Sequence, residues 1–295
     1  MKNLRAYLEV RESLISFLQQ DVGTGDVTSE SVLSPDLSAC AQIICKSGKS
    51  AIIAGLEEAG ILFDICRCRV QTLVTDGSRV ENGSIVMNIS GRALAILQAE
   101  RTALNLIMRM SGIATETRKL VEMVGKINRS IKVACTRKTA PGLRAFDKKA
   151  VLLGGGVTHR IRLDDMALIK DNHLVLADSI EQSIRLAREK INGCLLLECE
   201  VKNLAEMVSA VRAGSDIVML DNFSPKQAKD AITQIRKMGV RKKVKVEISG
   251  RIDPHNIADY AKLQPDIISL GYLTHSPKAI DYSLEIMSNS DCQPS

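Results

Sequence analysis

The chain has 295 residues, enough for two domains or for one large α/β barrel with an added cap. Hydrophobic residues make up 45% and charged residues 25%, ordinary globular proportions that exclude a disordered, collagenous or coiled-coil chain. No apolar run approaches the roughly 18 residues of a membrane helix. The N-terminal MKNLRAYLEVRESLISFLQQ mixes charge with apolar residues at helical spacing, where a signal peptide would carry an apolar block. A cytoplasmic protein is expected.

In chain order, a helix is predicted over Leu4 to Gln20, followed by the Gly- and Asp-rich loop Asp21–Thr28. Strand-like runs follow at Ala39–Ile44, Ala51–Ala54, Arg67–Thr75 and Ser84–Ser90, the last two around the turn-rich DGSRVENG. Apolar positions then recur every three or four residues from Arg92 to Met110, and a second helix is predicted over Ile113 to Ile127. Beyond that the pattern becomes a beat. Short apolar runs at Ile131–Cys135, Met166–Ile169, Leu195–Val201, Ile217–Leu220, Val244–Ile248 and Ile267–Leu270 alternate with helical stretches such as Ser179–Lys190, Leu204–Ala213 and Pro225–Met238. Alternation of strand and helix implies parallel strands with crossover helices. The last four runs begin 22, 27 and 23 residues apart, one βα unit each, which fits a barrel better than an open dinucleotide fold.

Eight cysteines, at 40, 45, 66, 68, 135, 194, 199 and 292, lie mostly inside apolar runs and include no CxxC pair. They are expected to be reduced, and Cys66 with Cys68 lack the His or Cys partners of a zinc site. The triplet Gly154–Gly155–Gly156 has neither the G-x-G-x-x-G spacing nor a Walker lysine, and reads as a close-packed turn.

Net charge is +6, and it is concentrated: residues 131–170 hold nine Lys or Arg against three Asp, the whole excess of the chain. Such a stretch attracts anions. Tryptophan is absent and only eight residues are Phe or Tyr, so there is little to stack bases on, and the basic residues do not line one helical face. This disfavours nucleic acid and membrane and favours a small anionic ligand.

The apolar runs end in ionisable or glycine-containing tails: Thr136–Arg137–Lys138, Lys170–Asp171–Asn172–His173, Glu198 and Glu200, Asp221–Asn222, Glu247 with Ser249–Gly250, and Gly271. In a parallel barrel the C-terminal strand ends converge on the face that builds the active site. Glu198 and Glu200 share one strand face, and Leu197, Cys199 and Val201 the other. Charges aimed into a barrel must pair or meet ligand, so an internal ion-pair network competes with a site at each position. Arg137, Lys138, His159, Arg160, Arg162 and Lys170 offer up to six cationic groups, more than one phosphate needs. Glu200 and Asp221 suit Mg²⁺ or ribose hydroxyls. Together these suggest phosphoribosyl transfer to an acidic acceptor. His173 and His275 follow strand ends and are assigned no proton transfer. His255 reads as structural.

The segments TRKTAPGLR (136–144), KKAVLLGGGVTHRIRLDDMALIKDNH (148–173), LECEV (197–201), DIVMLDN (216–222), VEISG (246–250) and SLGYLTHS (269–276), with the N-terminal DVGTGDVT and AERTALN, closely resemble the quinolinate phosphoribosyltransferase family. The resemblance covers nearly the whole chain. It implies an N-terminal α/β sandwich domain (1–112), an open TIM-like α/β barrel of fewer than eight strands (113–275), and a C-terminal tail (276–295) returning to the first domain. It further implies decarboxylating transfer from phosphoribosyl pyrophosphate to quinolinate, Mg²⁺ as cofactor, and at least a homodimer.

By that resemblance Arg137, Lys138, His159, Arg160 and Lys170 line the substrate pocket, Lys138 and Lys170 being the catalytic candidates, and Arg101 reaches in from the partner. On this sequence alone, Arg101 beside Glu100 would read as a surface ion pair. Glu200 and Asp221 would contact ribose and Mg²⁺, and the backbone around Ser249, Gly250 and Gly271 the 5′-phosphate. Arg251 stands where similar proteins usually carry a second glycine, either straining the loop or adding a phosphate contact. Three other readings compete: a non-decarboxylating relative specific for nicotinate, an aldolase using Lys170 as a Schiff base, and an RNA-binding scaffold.

Overall fold

The structure, a computed structural model, describes residues 2–191 and 193–287, with side chains from residue 8 onward. The first elements are α1 (Lys2–Val22), α2 (Val27–Val32), β1 (Ser38–Cys45), β2 (Ala51–Ile52), α3 (Leu56–Ile65), β3 (Arg69–Thr72), β4 (Arg79–Val80), β5 (Ile85–Arg92) and α4 (Ala93–Gly125). There follow β6 (Lys132–Cys135), α5 (Arg144–Leu153), β7 (Ala167–Ile169), α6 (Asp171–Val175), α7 (Ile180–Lys190), β8 (Leu197–Val201), α8 (Leu204–Ala213) and β9 (Ile217–Asp221). The chain closes with α9 (Pro225–Lys237), β10 (Lys245–Ser249), α10 (Ile257–Ala261), β11 (Ile267–Leu270), α11 (Tyr272–His275) and β12 (Tyr282–Ile286).

These elements form two compact units. The first comprises the chain up to Glu116, Pro141–Gly154 and the chain from Pro277; the second comprises Thr117–Ala140 and Gly155–Ser276. In the first, a four-stranded antiparallel sheet has the order β12-β1-β5-β3. The sequence places Pro141–Gly154 within the barrel, and the structure does not. The reason is a set of contacts to residues distant in the chain. Arg109 on α4 makes a bidentate pair with the fully buried Asp147 of α5 at 2.8 and 2.9 Å. Lys149 of α5 reaches Glu57 at 2.5 Å and the buried Glu58 of α3 at 2.8 Å. Phe146 stacks obliquely on Phe17 with ring centroids 5.8 Å apart. Burial pushes the Glu58 carboxyl up, and Lys149 offsets this.

Where two helices are expected around residue 111, there is one, the 33-residue α4. Gly112 does not end it. A Cβ at Gly112 would overlap the carbonyl of Lys278, so the glycine serves to admit the C-terminal segment against the helix. That segment is held one turn away, where the Ile280 amide donates to the Met108 carbonyl at 3.0 Å. Ser111 and Thr115, on the same helix, accept from the amides of Ala54 and Ile52 at 3.0 and 2.8 Å. A further correction concerns Cys40, which is disulfide-bonded rather than reduced. Cys45, Cys66, Cys68, Cys135, Cys194 and Cys199 are free, and Cys292 lies outside the described residues.

The second unit is an open α/β barrel: six parallel strands in the order β6-β11-β10-β9-β8-β7. Its core lies between strands and helices, where Leu197, Cys199 and Val201 of β8, Val218 and Leu220 of β9 and Val246 and Ile248 of β10 pack with Ala231, Ile232 and Ile235 of α9 and Met207 of α8. The N-terminal strand ends use one device twice. Asp216 accepts from the Leu197 amide and from Arg188, and Asp266 from the Val246 amide and from Arg241, at 2.7 to 2.8 Å. Helix starts are explicit in sequence: Ser224-Pro225 opens α9 with a reciprocal Ser224–Gln227 capping box, and Asn203 caps α8. No helix among the described residues is long and apolar enough to cross a membrane.

Gly112→Ala should lower stability by about 1–3 kcal/mol through overpacking, whereas Gly48→Ala, where a Cβ would meet nothing, should be nearly neutral. Urea unfolding of both variants checks this.

Candidate active site

The inward faces of the barrel strands, with the tails at their C-terminal ends, enclose a cavity of about 530 Å³. Its wall follows from side-chain alternation along the strands. Parallel registers align Leu168 with Glu198, Glu200 with Met219 and Glu247, and Asp221 with Ser249 and Ser269, so these residues share one face while the apolar partners of each strand face the helices.

The residues expected to be catalytic or to bind substrate within this unit come together. Arg137, Lys138, His159, Arg160 and Lys170 line the cavity, with Glu200 and Asp221. Ser249, Gly250, Arg251 and Gly271 complete the wall near His275. Arg162 does not join them; it is two-thirds exposed and pairs with Asp164 at 3.0 Å. Arg101 belongs to the first unit, 60% exposed and 3.9 Å from Glu100. His173 accepts the Lys170 backbone N–H on Nδ1 at 2.9 Å, which fixes the start of α6 beside the Lys170 tail. His275 contacts Ser276 through Nδ1 at 2.7 Å. The Gly154–Gly156 triplet closes α5 and leads away from it.

The electrostatics of the wall divide it in two. On one side, burial and the neighbouring Arg137 both pull the Arg160 guanidinium below its ordinary value. On the other, burial and the charge of Asp221 push the Glu200 carboxyl up, while Lys170, 3.7 Å away, offsets them. The cavity wall thus holds a repelling pair of cations and a repelling pair of acids, the latter tempered by Lys170.

Three left-handed residues shape the mouth. Asn222, Gly250 and Arg251 have φ of 56°, 92° and 51°. Asn222 donates from its amide nitrogen to Asp221 at 2.6 Å and from its backbone to the Ser249 carbonyl at 2.9 Å, and its side chain fills the space that a Cβ on Gly250 would need. Gly250 is therefore required twice, by φ and by contact. Arg251 adopts the positive φ that the resemblance gives to a glycine, with its carbonyl held by Asn256 at 2.9 Å. It bears the strain and still lines the cavity.

Sequence reasoning missed Thr274. This buried threonine donates to the Lys138 carbonyl at 2.9 Å, tying the β6 tail to α11, and the side chain of Lys138 passes over Gly271. A lone threonine in SLGYLTHS carries no signal of this. Met219 and Ser269 also line the cavity and were not singled out in the sequence.

A model of the N-terminal domain of quinolinate phosphoribosyl transferase matches residues 26–111, and one of its C-terminal domain matches residues 113–285. The chain belongs to the quinolinate phosphoribosyltransferase family. It is 41% identical over 263 residues to a probable carboxylating nicotinate-nucleotide pyrophosphorylase of Archaeoglobus fulgidus, covering 89% of this chain and 98% of that one. It is 35% identical to the carboxylating nicotinate-nucleotide pyrophosphorylase of Homo sapiens over 80% of this chain and 78% of that one. The nicotinate-nucleotide pyrophosphorylase of Francisella tularensis superposes with a TM-score of 0.86 at 36% identity, covering 95% of this chain and 96% of that one. The small sheet unit and the open barrel are those of the family.

Arg251→Gly should leave stability unchanged or raise it by up to about 1 kcal/mol, relief of the left-handed strain being partly offset by the freer unfolded chain. Arg251→Val should lower it by about 1–2 kcal/mol. Equilibrium unfolding in urea measures both.

Proposed function

We propose that this chain transfers phosphoribosyl from phosphoribosyl pyrophosphate to quinolinate with decarboxylation, giving nicotinate mononucleotide, pyrophosphate and CO₂. The observation that carries this reading is the convergence of Arg137, Lys138, His159, Arg160 and Lys170 on one cavity that also holds Glu200 and Asp221. Five cationic groups answer a ligand set with several separate anionic groups: two carboxylates, a diphosphate and a 5′-phosphate. A planar guanidinium grips a carboxylate bidentately, so Arg137 and Arg160 orient the pyridine dicarboxylate. Lys138 and Lys170 take the diphosphate or the leaving carboxylate. The backbone of Ser249, Gly250 and Gly271, with the Arg251 side chain, receives the 5′-phosphate, in keeping with phosphate sites after the last strands of such barrels.

Glu200 and Asp221 are a hard, oxygen-only donor pair; burial and then the charge of Asp221 raise the Glu200 carboxyl, and a divalent cation relieves that repulsion. They fit Mg²⁺, which is commonly held by one or two carboxylates together with substrate phosphates. Charge neutralisation of the leaving diphosphate is what the bound ion supplies. Asn222, donating to Asp221, orients that carboxylate.

The reaction then asks the protein for position and charge. As the C1–diphosphate bond breaks, the ring nitrogen, aimed by the two arginines, attacks C1. The alkylated ring is cationic, so the electron pair left by departing CO₂ at the 2-position is stabilised by the adjacent nitrogen and then takes up a proton. No further cofactor is needed. Arg101, exposed on its helix, serves the cavity of a second copy of the chain in this reading, and mixing Arg101→Ala with Lys138→Ala protein should regenerate activity that neither has alone.

Incubation with quinolinate, phosphoribosyl pyrophosphate and Mg²⁺ should yield nicotinate mononucleotide and CO₂ in equal amounts, and chelation of the metal should stop it reversibly. Turnover of nicotinate in place of quinolinate, without CO₂, would overturn the reading. Arg160→Ala should lower kcat/KM for quinolinate by about 2–5 kcal/mol, the cost of leaving a buried carboxylate unpaired. Steady-state kinetics of the purified variant decides this.

A further inference from the structure

His159 reaches the cavity wall, yet its side chain is only 8% exposed. Its Nε2 lies 3.1 Å from Glu198 Oε2 and 3.0 Å from Glu247 Oε2. Both glutamates are completely buried. They belong to β8 and β10, which flank β9 in the sheet, and both point into the barrel. Among the described residues neither the four carboxylate oxygens nor His159 Nε2 has a well-directed hydrogen bond; His159 is the cationic group that lies within ion-pair distance of both carboxylates. The chain takes a left-handed turn to deliver the ring, with φ 50° at His159, and Thr158 donates to the His159 carbonyl at 3.0 Å. Such strain in a non-glycine residue is retained where the surroundings over-determine it.

We propose that Glu198 and Glu247 are positioning residues for the transferase reaction: from beneath the cavity they hold His159 as an imidazolium, sharing Nε2–H, so that Nδ1–H is a permanent donor to a carboxylate of the pyridine substrate. The second half of this rests on the quinolinate reading; the first half does not. Two carboxylates buried at one point are costly unless a charge lies between them, and among the described residues His159 is the one cationic group within ion-pair distance of both. A neutral imidazole would donate through one nitrogen alone and could not serve carboxylates on both edges. The charged groups facing the ring are Glu198 from β8 and Glu247 from β10. Arg160, next in sequence, is the further cation acting on Glu198, and Arg137 from the β6 tail repels Arg160. Burial alone would favour the neutral ring, but the close approach of the Glu198 and Glu247 carboxylates outweighs it and pushes the imidazole up to about 10, while burial and the charge of Glu247 push the Glu198 carboxyl up in turn. A raised value contributes stability below the ordinary value of about 6.5 and loses it only as pH climbs through the folded one. His159 therefore stays charged where an ordinary histidine has lost its proton.

The test uses the full chain with ¹⁵N-labelled histidine, the His159 signals being assigned by their loss in His159→Gln. Between about pH 5.5 and 9, wild-type His159 should remain doubly protonated without substrate present. In Glu198→Gln and in Glu247→Gln, each close in shape to the original, it should titrate within that range. The KM for quinolinate should then rise by about 10-fold at the alkaline end, as expected for loss of a charge-assisted hydrogen bond, with the defect shrinking toward pH 6 and kcat changing less. Wild-type His159 titrating near its ordinary value would overturn the proposal, even if neither variant folds. So would variants whose His159 titration and KM profile match wild type. Because the spectrum needs no substrate, a chain that fails to use quinolinate but keeps His159 charged would sink the functional reading and leave the clamp standing.

Discussion

Parallel strands covered on both faces ordinarily read as continuous apolar runs, because neither face meets water. β8 and β10 break that rule with Glu198, Glu200 and Glu247, of which Glu198 and Glu247 have no solvent exposure at all. That departure constrains the rest of the barrel. Carboxylates at the centre of the sheet demand positive charge from above, and it comes from the β6 tail, from the long connection into β7 and from the β7 tail, the segments that hold Arg137, His159, Arg160 and Lys170. The cationic stretch that dominates the chain's charge is thus the counterpart of an acidic interior as well as a receptor for anions.

The two ends of the barrel are built to different standards. At the N-terminal ends of the strands, Asp216 and Asp266 each satisfy a backbone amide and an arginine with short, well-directed bonds, and the adjoining helices carry conventional caps. At the C-terminal ends, Asn222, Gly250, Arg251 and His159 all sit at positive φ, and like charges are crowded together. Conformations of this kind cost free energy singly and cluster where geometry is being imposed for a purpose. The ordered end supplies stability that the strained end consumes, an arrangement expected where the two ends of a barrel divide stability and chemistry between them.

How much of this was legible depended on whether the signal was local. Strand positions in the barrel were, since β11 and α8 fall where periodicity sets them and the others shift by a residue or two. The inward faces of β8 and β10 followed from alternation. What could not be seen were features created by distant partners. Gly112 looks like a helix break, and only the passage of Lys278 past it shows why a glycine belongs mid-helix. α3 carries apolar residues on most positions, which blurs a helical period, and its start at a left-handed Gly55 offers no side-chain cap. Pro141–Gly154 joins the first unit because Asp147 needs Arg109, a pairing across 38 residues. The acids Glu198 and Glu247 were visible as a charged face, with an internal ion-pair network as one reading of it. That His159 would be their partner was not visible, since it arrives on a loop with no periodicity.

The charge balance around His159 bears on how the cavity can be both buried and cationic. Burial and the neighbouring Arg137 already lower the Arg160 guanidinium, and adding a third bare cation would raise the cost of folding without ligand. An imidazolium beside two carboxylates adds a donor whose charge is balanced from beneath, and Glu198 also interacts favourably with Arg160. The same economy recurs on the opposite wall, where Lys170 stands 3.7 Å from Glu200 and tempers its repulsion with Asp221. Each side of the cavity is therefore partly neutralised from beneath or from the flank, and the forks and ammonium groups facing inward are held in place before any anion arrives. Preorganised charge of this kind needs little reorganisation when a ligand's own charge shifts during reaction, which is the property a transfer between a dianionic ring and a diphosphorylated sugar requires of its protein.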